Sequence, residues 1–249
     1  MNSLLDWAQF YYDLGFNVTH IVPSKNTTKK YPYKAPTNDR QKITRRRQSQ
    51  IEMSSYDWLN ATGIGMVLGR GNIRAIDIDH STTLKNQEFA MLSDLKPMIF
   101  DLLDMMKLPP NYPWVVQTPS KGYHILIEAD ELPYEVSFNP LSPFNERKTK
   151  GFAPNSFTKR LFPTFGHFDM RWNLHLTLPP SKDQANRSYE FVNEIPDSKI
   201  QKVGLKDIQS FLNKYCLQYD LELKKSGYNF NVDSYYENHP FTDFHSIIL

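Results

Sequence analysis

The sequence predicts an α+β fold in which a cleft lies between two sheet units. Pairs of short apolar strand patterns meet around tight turns at 64–79 and 114–129, and patterns of helical spacing at 3–14, 84–106 and 205–215 alternate with them. A chain of 249 residues that is 40% hydrophobic and 22% charged can build one large domain or two fused lobes. That composition is not the one of a disordered tail.

Taken in order, Leu4, Ala8, Tyr11 and Leu14 fall at helical spacing, with Ser3 as N-cap and Gly15 as the stop. A strand from Phe16 to Val22 follows and ends at Pro23. Residues 24–50 are polar and basic, with Lys25, Lys29, Lys30, Lys34, Arg40, Lys42, Arg45, Arg46 and Arg47, and lack apolar periodicity; they are expected to form a long exposed arm. Ile64 to Leu68 and Ile73 to Asp79 read as two strands around a Gly-rich turn. The helical stretch from Leu84 to Met106 is divided at Pro97. Trp114 to Thr118 and Tyr123 to Ala129 form the second strand pair, joined by Pro119-Ser120-Lys121-Gly122. Residues 130–165 lose periodicity and are expected to be an irregular insertion. Phe168 to Trp172, Leu174 to Leu178 and Tyr189 to Val192 resume strand character, and a last helix places Leu205, Ile208, Leu212 and Tyr215 on one face. The expected division is a main domain over 1–200 and a C-terminal helix and tail over 201–249.

The formal charge is only +2, so any nucleic-acid surface must come from local clusters of Lys and Arg. The single cysteine, Cys216, excludes an internal disulfide and a Cys-rich zinc site and suits a reducing cytoplasm; it reads as a buried small apolar side chain. The N-terminus lacks the basic flank and apolar core of a secretion signal, and no run of about 18 apolar residues is present to span a bilayer.

In Ile76-Asp77-Ile78-Asp79, the period of two places both carboxylates on one strand face, where they repel unless a cation such as Mg²⁺ or Mn²⁺ joins them. The plain alternative is a polar strand face that meets water. In Thr118-Pro119-Ser120-Lys121-Gly122-Tyr123-His124, a hydroxyl, an ammonium and an imidazole gather at a tight turn, a group suited to a triphosphate. A structural hydrogen bond is the plain alternative for His124. In Phe168-Asp169-Met170-Arg171, Asp169 and Arg171 share a face and pair a metal-ligand type with a guanidinium able to grip phosphate, or else form an ordinary salt bridge.

Asp-x-Asp alone also suits glycosyltransferases. The order of the three elements, with Pro179-Pro180-Ser181 after the third, resembles the archaeo-eukaryotic primase superfamily, specifically the prim-pol domain of bifunctional primase-polymerases of plasmids and mobile elements. The likeness runs over roughly residues 4–193 and includes Lys34-Ala35-Pro36 and Gly63-Ile64-Gly65-Met66-Val67-Leu68-Gly69. Lys121 stands where that family commonly has Gly.

The resemblance implies a template-dependent primase-polymerase with Asp77, Asp79 and Asp169 holding two Mg²⁺ or Mn²⁺ ions; the zinc-binding element of some relatives is expected to be missing, because the chain has no Cys cluster. It implies that Ser120 and His124 contact the incoming NTP or dNTP; Lys121 and Arg171 are added on their chemistry. Lys34, Arg45, Arg46 and Arg47 are expected to meet single-stranded template and primer, and a helicase domain or protein is an expected partner. The rivals are a metal-dependent nucleotide-sugar glycosyltransferase and a non-catalytic nucleic-acid-binding module.

Overall fold

The computed structural model describes residues 1, 3–23, 33–34, 46–68, 71–79, 95–130, 156–161, 167–171, 175–183 and 185–217. Helix α1 (Leu4–Asp13) starts at a capping box in which the Ser3 hydroxyl accepts from the Asp6 backbone N–H and the Asp6 carboxylate accepts from the Ser3 N–H. It stops at Gly15, whose φ of +96° suits a residue without a Cβ. Ala8 and Tyr11 are its fully buried residues. Strand β1 (Asn17–Pro23) follows, then the two-residue β2 (Tyr33–Lys34).

Helix α2 (Gln50–Ser54) was not foreseen, although its start carries a readable signal: Ser49 and Glu52 form a second capping box. Its Met53 is fully buried. After it come β3 (Gly63–Val67), β4 (Ile73–Asp79), α3 (Lys96–Met105), β5 (Val115–Gln117) and β6 (Tyr123–Glu128). The chain continues through β7 (Ser156–Leu161), β8 (His167–Arg171), β9 (His175–Leu178), β10 (Glu190–Phe191), α4 (Leu205–Tyr215) and β11 (Cys216–Leu217).

The strands form two sheets, one of four in the order β2-β1-β3-β9 and one of seven in the order β10-β5-β6-β4-β8-β7-β11. Every strand pair is antiparallel. With the helices, this is an α+β architecture.

Two expectations need correction. The strands at 64–79 do not form a pair: β3 lies between β1 and β9 in the smaller sheet, and β4 lies between β6 and β8 in the larger. Sequence alternation reports a strand but not its neighbour, and here both strands are buried almost throughout, which a two-stranded ribbon cannot achieve. The successive strands β8 and β9 are likewise divided between the sheets. Second, residues 156–161, expected within an irregular insertion, form β7 and pair with β8 from Ser156↔Arg171 to Arg160↔His167.

Pro97 does not divide α3 but stands in its first turn, where its missing N–H is harmless. Residues 84–94 of that expected helix, most of the arm, 131–155 and 162–165 of the insertion and the tail beyond 217 lie outside the described residues, as does the side chain of Cys216. The core gathers Tyr11, Met53, Tyr112, Trp114, Phe168 and Phe211, all fully buried. Among the described residues no helix is long and apolar enough to cross a membrane.

Candidate active site

Three neighbouring strands of the larger sheet bring their polar residues together. Asp77 of β4 lies in register with His124 of β6 on one side and with Asp169 of β8 on the other. Direct cross-strand partners point to the same face and side chains alternate along each strand, so Asp79 and Arg171 belong to that face too. Ile76, Ile78, Phe168 and Met170 take the opposite face and are fully buried. There the Phe168 ring packs on Phe211 of α4 with centroids 5.9 Å apart. The apolar side holds the strands; the other side carries the charge.

Asp77 is 3% exposed and stands at the centre. Nη2 of Arg171 contacts Asp77 Oδ2 and donates to Asp169 Oδ2 at 3.3 Å. The His124 ring reaches between the sheets: Nε2 stands 3.3 Å from Asp77 Oδ1, and Nδ1 is 3.1 Å from the Thr177 carbonyl of β9. A carbonyl only accepts, so Nδ1 carries a proton and the Nε2 edge is the one turned toward Asp77.

Burial pushes the Asp77 carboxyl up, but the charge and hydrogen bond of His124 and the charge of Arg171 outweigh it and hold it below its ordinary value. Asp79 goes the other way. Burial, then the charge of Asp77, push it up to about 6, with Asp169 adding to the repulsion and His124 and Arg171 opposing it. Burial disfavours the Arg171 charge, yet Asp77, Asp169 and Asp79 together raise its affinity for the proton above the ordinary.

The turn between β5 and β6 is tied to this face by close approach. The Thr118 N–H donates to the Gly122 carbonyl at 2.9 Å, and Thr118 Oγ1 accepts from the Gly122 N–H at 3.0 Å. A Cβ on Gly122 would sit 2.5 Å from the Ile78 carbonyl oxygen and 3.3 Å from the Asp79 Cα, so only glycine lets the turn lie against the end of β4. Lys121 has a φ of +66°, the left-handed region, which explains why glycine is favoured at this position and why lysine is strained there. Ser120 Oγ lies 3.0 Å from Thr118 Oγ1.

A cavity of about 270 Å³ opens on the face. The larger sheet contributes Asp77, Asp79, His124 and Arg171, and the turn contributes Thr118 and Ser120. The expected residues Asp169 and Lys121 do not line it: Asp169 reaches the site through Arg171, and Lys121 is exposed. Three lining residues were not singled out from sequence: His175 and Thr177 of β9, and Tyr189. The Tyr189 ring lies 5.8 Å from that of His124, and its hydroxyl shares a hydrogen bond with the Thr177 side chain. The readable signal for His175 and Thr177 is their alternation with Leu176 and Leu178.

The donor set fits a hard divalent cation. Oδ1 of Asp169 is buried without a hydrogen-bond partner, buried Oδ1 of Asp77 has the long contact to His124 Nε2, and three carboxylates repel one another across neighbouring strands. Among the described residues, no three His, Cys, Asp or Glu side chains already converge as a metal cage; the Arg171 guanidinium stands between Asp77 and Asp169.

Two of the expected template-binding arginines, Arg46 and Arg47, have partners within the chain. Arg46 pairs with Glu52, and Arg47 donates to the Tyr12 and Phe16 carbonyls with its guanidinium 3.9 Å above the Tyr12 ring. Both pin the end of the arm to α1 and α2. Lys34 is placed in β2, with its side chain outside the description, and Arg45 lies outside the described residues. Ser181 of the Pro-Pro-Ser stretch is structural: its Oγ accepts from the Ile64 N–H at 2.7 Å.

A family model described as bifunctional DNA primase/polymerase, N-terminal (Prim-Pol) matches residues 8–202, a span that holds every residue of the cavity. No curated protein matches the chain.

Proposed function

The chain belongs to the Prim-Pol family of bifunctional DNA primase/polymerase N-terminal domains, and on that premise we propose that it joins nucleotides on a DNA template, transferring a nucleotidyl group from an NTP or dNTP to a 3′-hydroxyl with release of pyrophosphate. The observation that carries this reading is the line His124, Asp77, Asp169 across three paired strands, with Asp79 and Arg171 on the same face.

Asp77, Asp79 and Asp169 would hold Mg²⁺ or Mn²⁺, which supplies activation of the attacking hydroxyl and neutralises charge on the phosphates. The residues of the chain supply the rest. Asp77, kept ionised by His124 and Arg171, is a ready oxygen donor at neutral pH. His124, steadied by the Thr177 carbonyl, turns its Nε2 edge to a triphosphate entering between the sheets, and Ser120, on the turn that Gly122 seats against β4, offers a hydroxyl donor. Arg171 adds a guanidinium that lines the same cavity, and Lys121 adds a positive charge on the adjoining turn. Residues of both sheets line the cavity, which supports the reading of two sheet units around a cleft. Template and primer are assigned to the basic arm, with Lys34 and Arg45 as the contacts to test first. The family match supports DNA and nucleotides as partners and does not extend to a helicase or to sugar transfer.

The test is primer extension with a defined template and labelled dNTPs or NTPs in Mg²⁺ or Mn²⁺. Products lengthened in a template-dependent way are expected. Failure to incorporate under either ion, by protein that is folded and binds DNA, favours a non-catalytic binding module instead.

A further inference from the structure

Arg171 spends one nitrogen on two carboxylates. Its Nη2 meets Oδ2 of Asp77 and Oδ2 of Asp169, while Asp169 Oδ1 is buried without a hydrogen-bond partner and Asp77 Oδ1 faces the His124 Nε2 edge at a long 3.3 Å. The Cα positions of these residues are set by the β4–β8 register, Asp77↔Asp169 and Ala75↔Arg171, so the carboxylates cannot move far apart to relieve their repulsion. A positive charge must stay near them, and Arg171 is the cation that touches both, whereas the His124 ring meets Asp77.

We infer that Arg171 is a resident counter-cation, a positioning residue that holds the Asp77–Asp169 pair together and competes directly with a divalent ion for it. The inference rests on the reading of Asp77 and Asp169 as metal ligands and adds a role for this chain's own arginine. A divalent ion that takes Oδ2 of either carboxylate must displace Nη2; one confined to the Oδ1 atoms still meets a like charge a few ångströms away. Either way the guanidinium opposes the ion. Two effects of removing it could be set against each other: loss of competition favours the ion, and loss of order in the carboxylates disfavours it. Loss of competition wins, because the strand register retains the carboxylates and their unrelieved repulsion is then recovered when an ion binds.

The experiment measures Mn²⁺ binding to the full chain by the loss of free-ion electron paramagnetic resonance signal, with thermal unfolding in chelator and in Mn²⁺ as a second readout. Arg171→Gln is expected to bind Mn²⁺ about tenfold more tightly than the wild type, the scale of removing one like charge at this range in a partly screened site. It is also expected to melt lower in chelator and to gain more from Mn²⁺. Arg171→Lys keeps the charge and is expected to bind close to the wild type. Equal or weaker Mn²⁺ binding by Arg171→Gln overturns the inference while leaving the metal reading intact. If neither wild type nor variant binds Mn²⁺ and both are folded, the metal reading falls and the inference with it. Should Arg171→Gln be unfolded in chelator, refolding on addition of Mn²⁺, but not of NaCl at the same ionic strength, supports the inference through linkage; no refolding with Mn²⁺ overturns it.

Discussion

The central strands of the two sheets, β3 and β4, are both buried, yet they are built on opposite terms. In β3 every residue from Gly63 to Val67 is buried, with no ionisable side chain, and small residues allow close contact: a Cβ on Gly63 would stand 2.4 Å from Ser181 Oγ. β4 buries Ile76 and Ile78 on one face and spends the other on Asp77 and Asp79. Asp has low strand propensity, and like charges on neighbouring strands repel. The smaller sheet is therefore built for packing at β3, whereas the larger one tolerates a charged face at β4, whose proposed use is chemical. Its link to the smaller sheet, the His124 Nδ1–H donated to the Thr177 carbonyl, aims the Nε2 edge of the ring across the cavity at Asp77.

The sharpest break in that comparison comes from the charged face. Asp77→Asn and Asp169→Asn are expected to lower nucleotide incorporation about 10³-fold or more, the scale of several kcal/mol of lost charge stabilisation, while circular dichroism shows a folded chain. An active Asp77→Asn protein would remove Asp77 from the chemistry.

Glycine substitutions compare the two strands next. Gly122→Ala drives a Cβ into the Ile78 carbonyl, and Gly63→Ala drives one into Ser181, so each is expected to lose about 1–3 kcal/mol in urea unfolding. Only Gly122→Ala should also reduce incorporation per folded molecule, because it displaces Ser120 and His124. Equal activity losses in both would show that the sheets act as one unit.

The smallest expected effect belongs to the bond that ties α1 to the chain just past β9. Tyr11 donates its hydroxyl to the Pro179 carbonyl at 2.8 Å from a fully buried position. Tyr11→Phe should cost about 1 kcal/mol of stability, read as a lower denaturation midpoint, with incorporation per folded molecule unchanged.

What the sequence made legible follows the range of the physics. Period-two alternation and the Ser3 cap are local, so α1, β4, β6 and β8 and the shared faces of Asp77 with Asp79 and Asp169 with Arg171 could be read directly. Pairing between strands is not local. Alternation alone could not tell that β3 and β4 part into different sheets, that β7 lies within 130–165, or that β4 sits between β6 and β8, which is what sets Asp77 opposite both His124 and Asp169. Tyr189 escaped notice for the same reason: its place beside His124 is a tertiary contact that no nearby spacing encodes. Arg46 and Arg47 show the converse, since a run of three arginines looked like a nucleic-acid patch while Glu52, Tyr12 and two backbone carbonyls occupy two of them. The Ser49–Glu52 capping box was readable and marks where the arm ends.

The central claim, that β4 keeps its carboxylates for chemistry against its own stability, is tested most directly at Asp79. Its folded carboxyl is pushed up to about 6, above the ordinary value of about 3.9, so the folded chain holds that proton more tightly than the unfolded chain. Ionisation then destabilises the fold. The penalty is absent below the ordinary value, grows as pH rises toward about 6 and is complete above it. In metal-free buffer, Asp79→Asn should therefore match the wild type near pH 4 and become more stable by about 1–3 kcal/mol at pH 7.5, while losing primer extension in Mn²⁺. A variant that is less stable at pH 7.5, or one that still extends primers at the wild-type rate, would contradict the account.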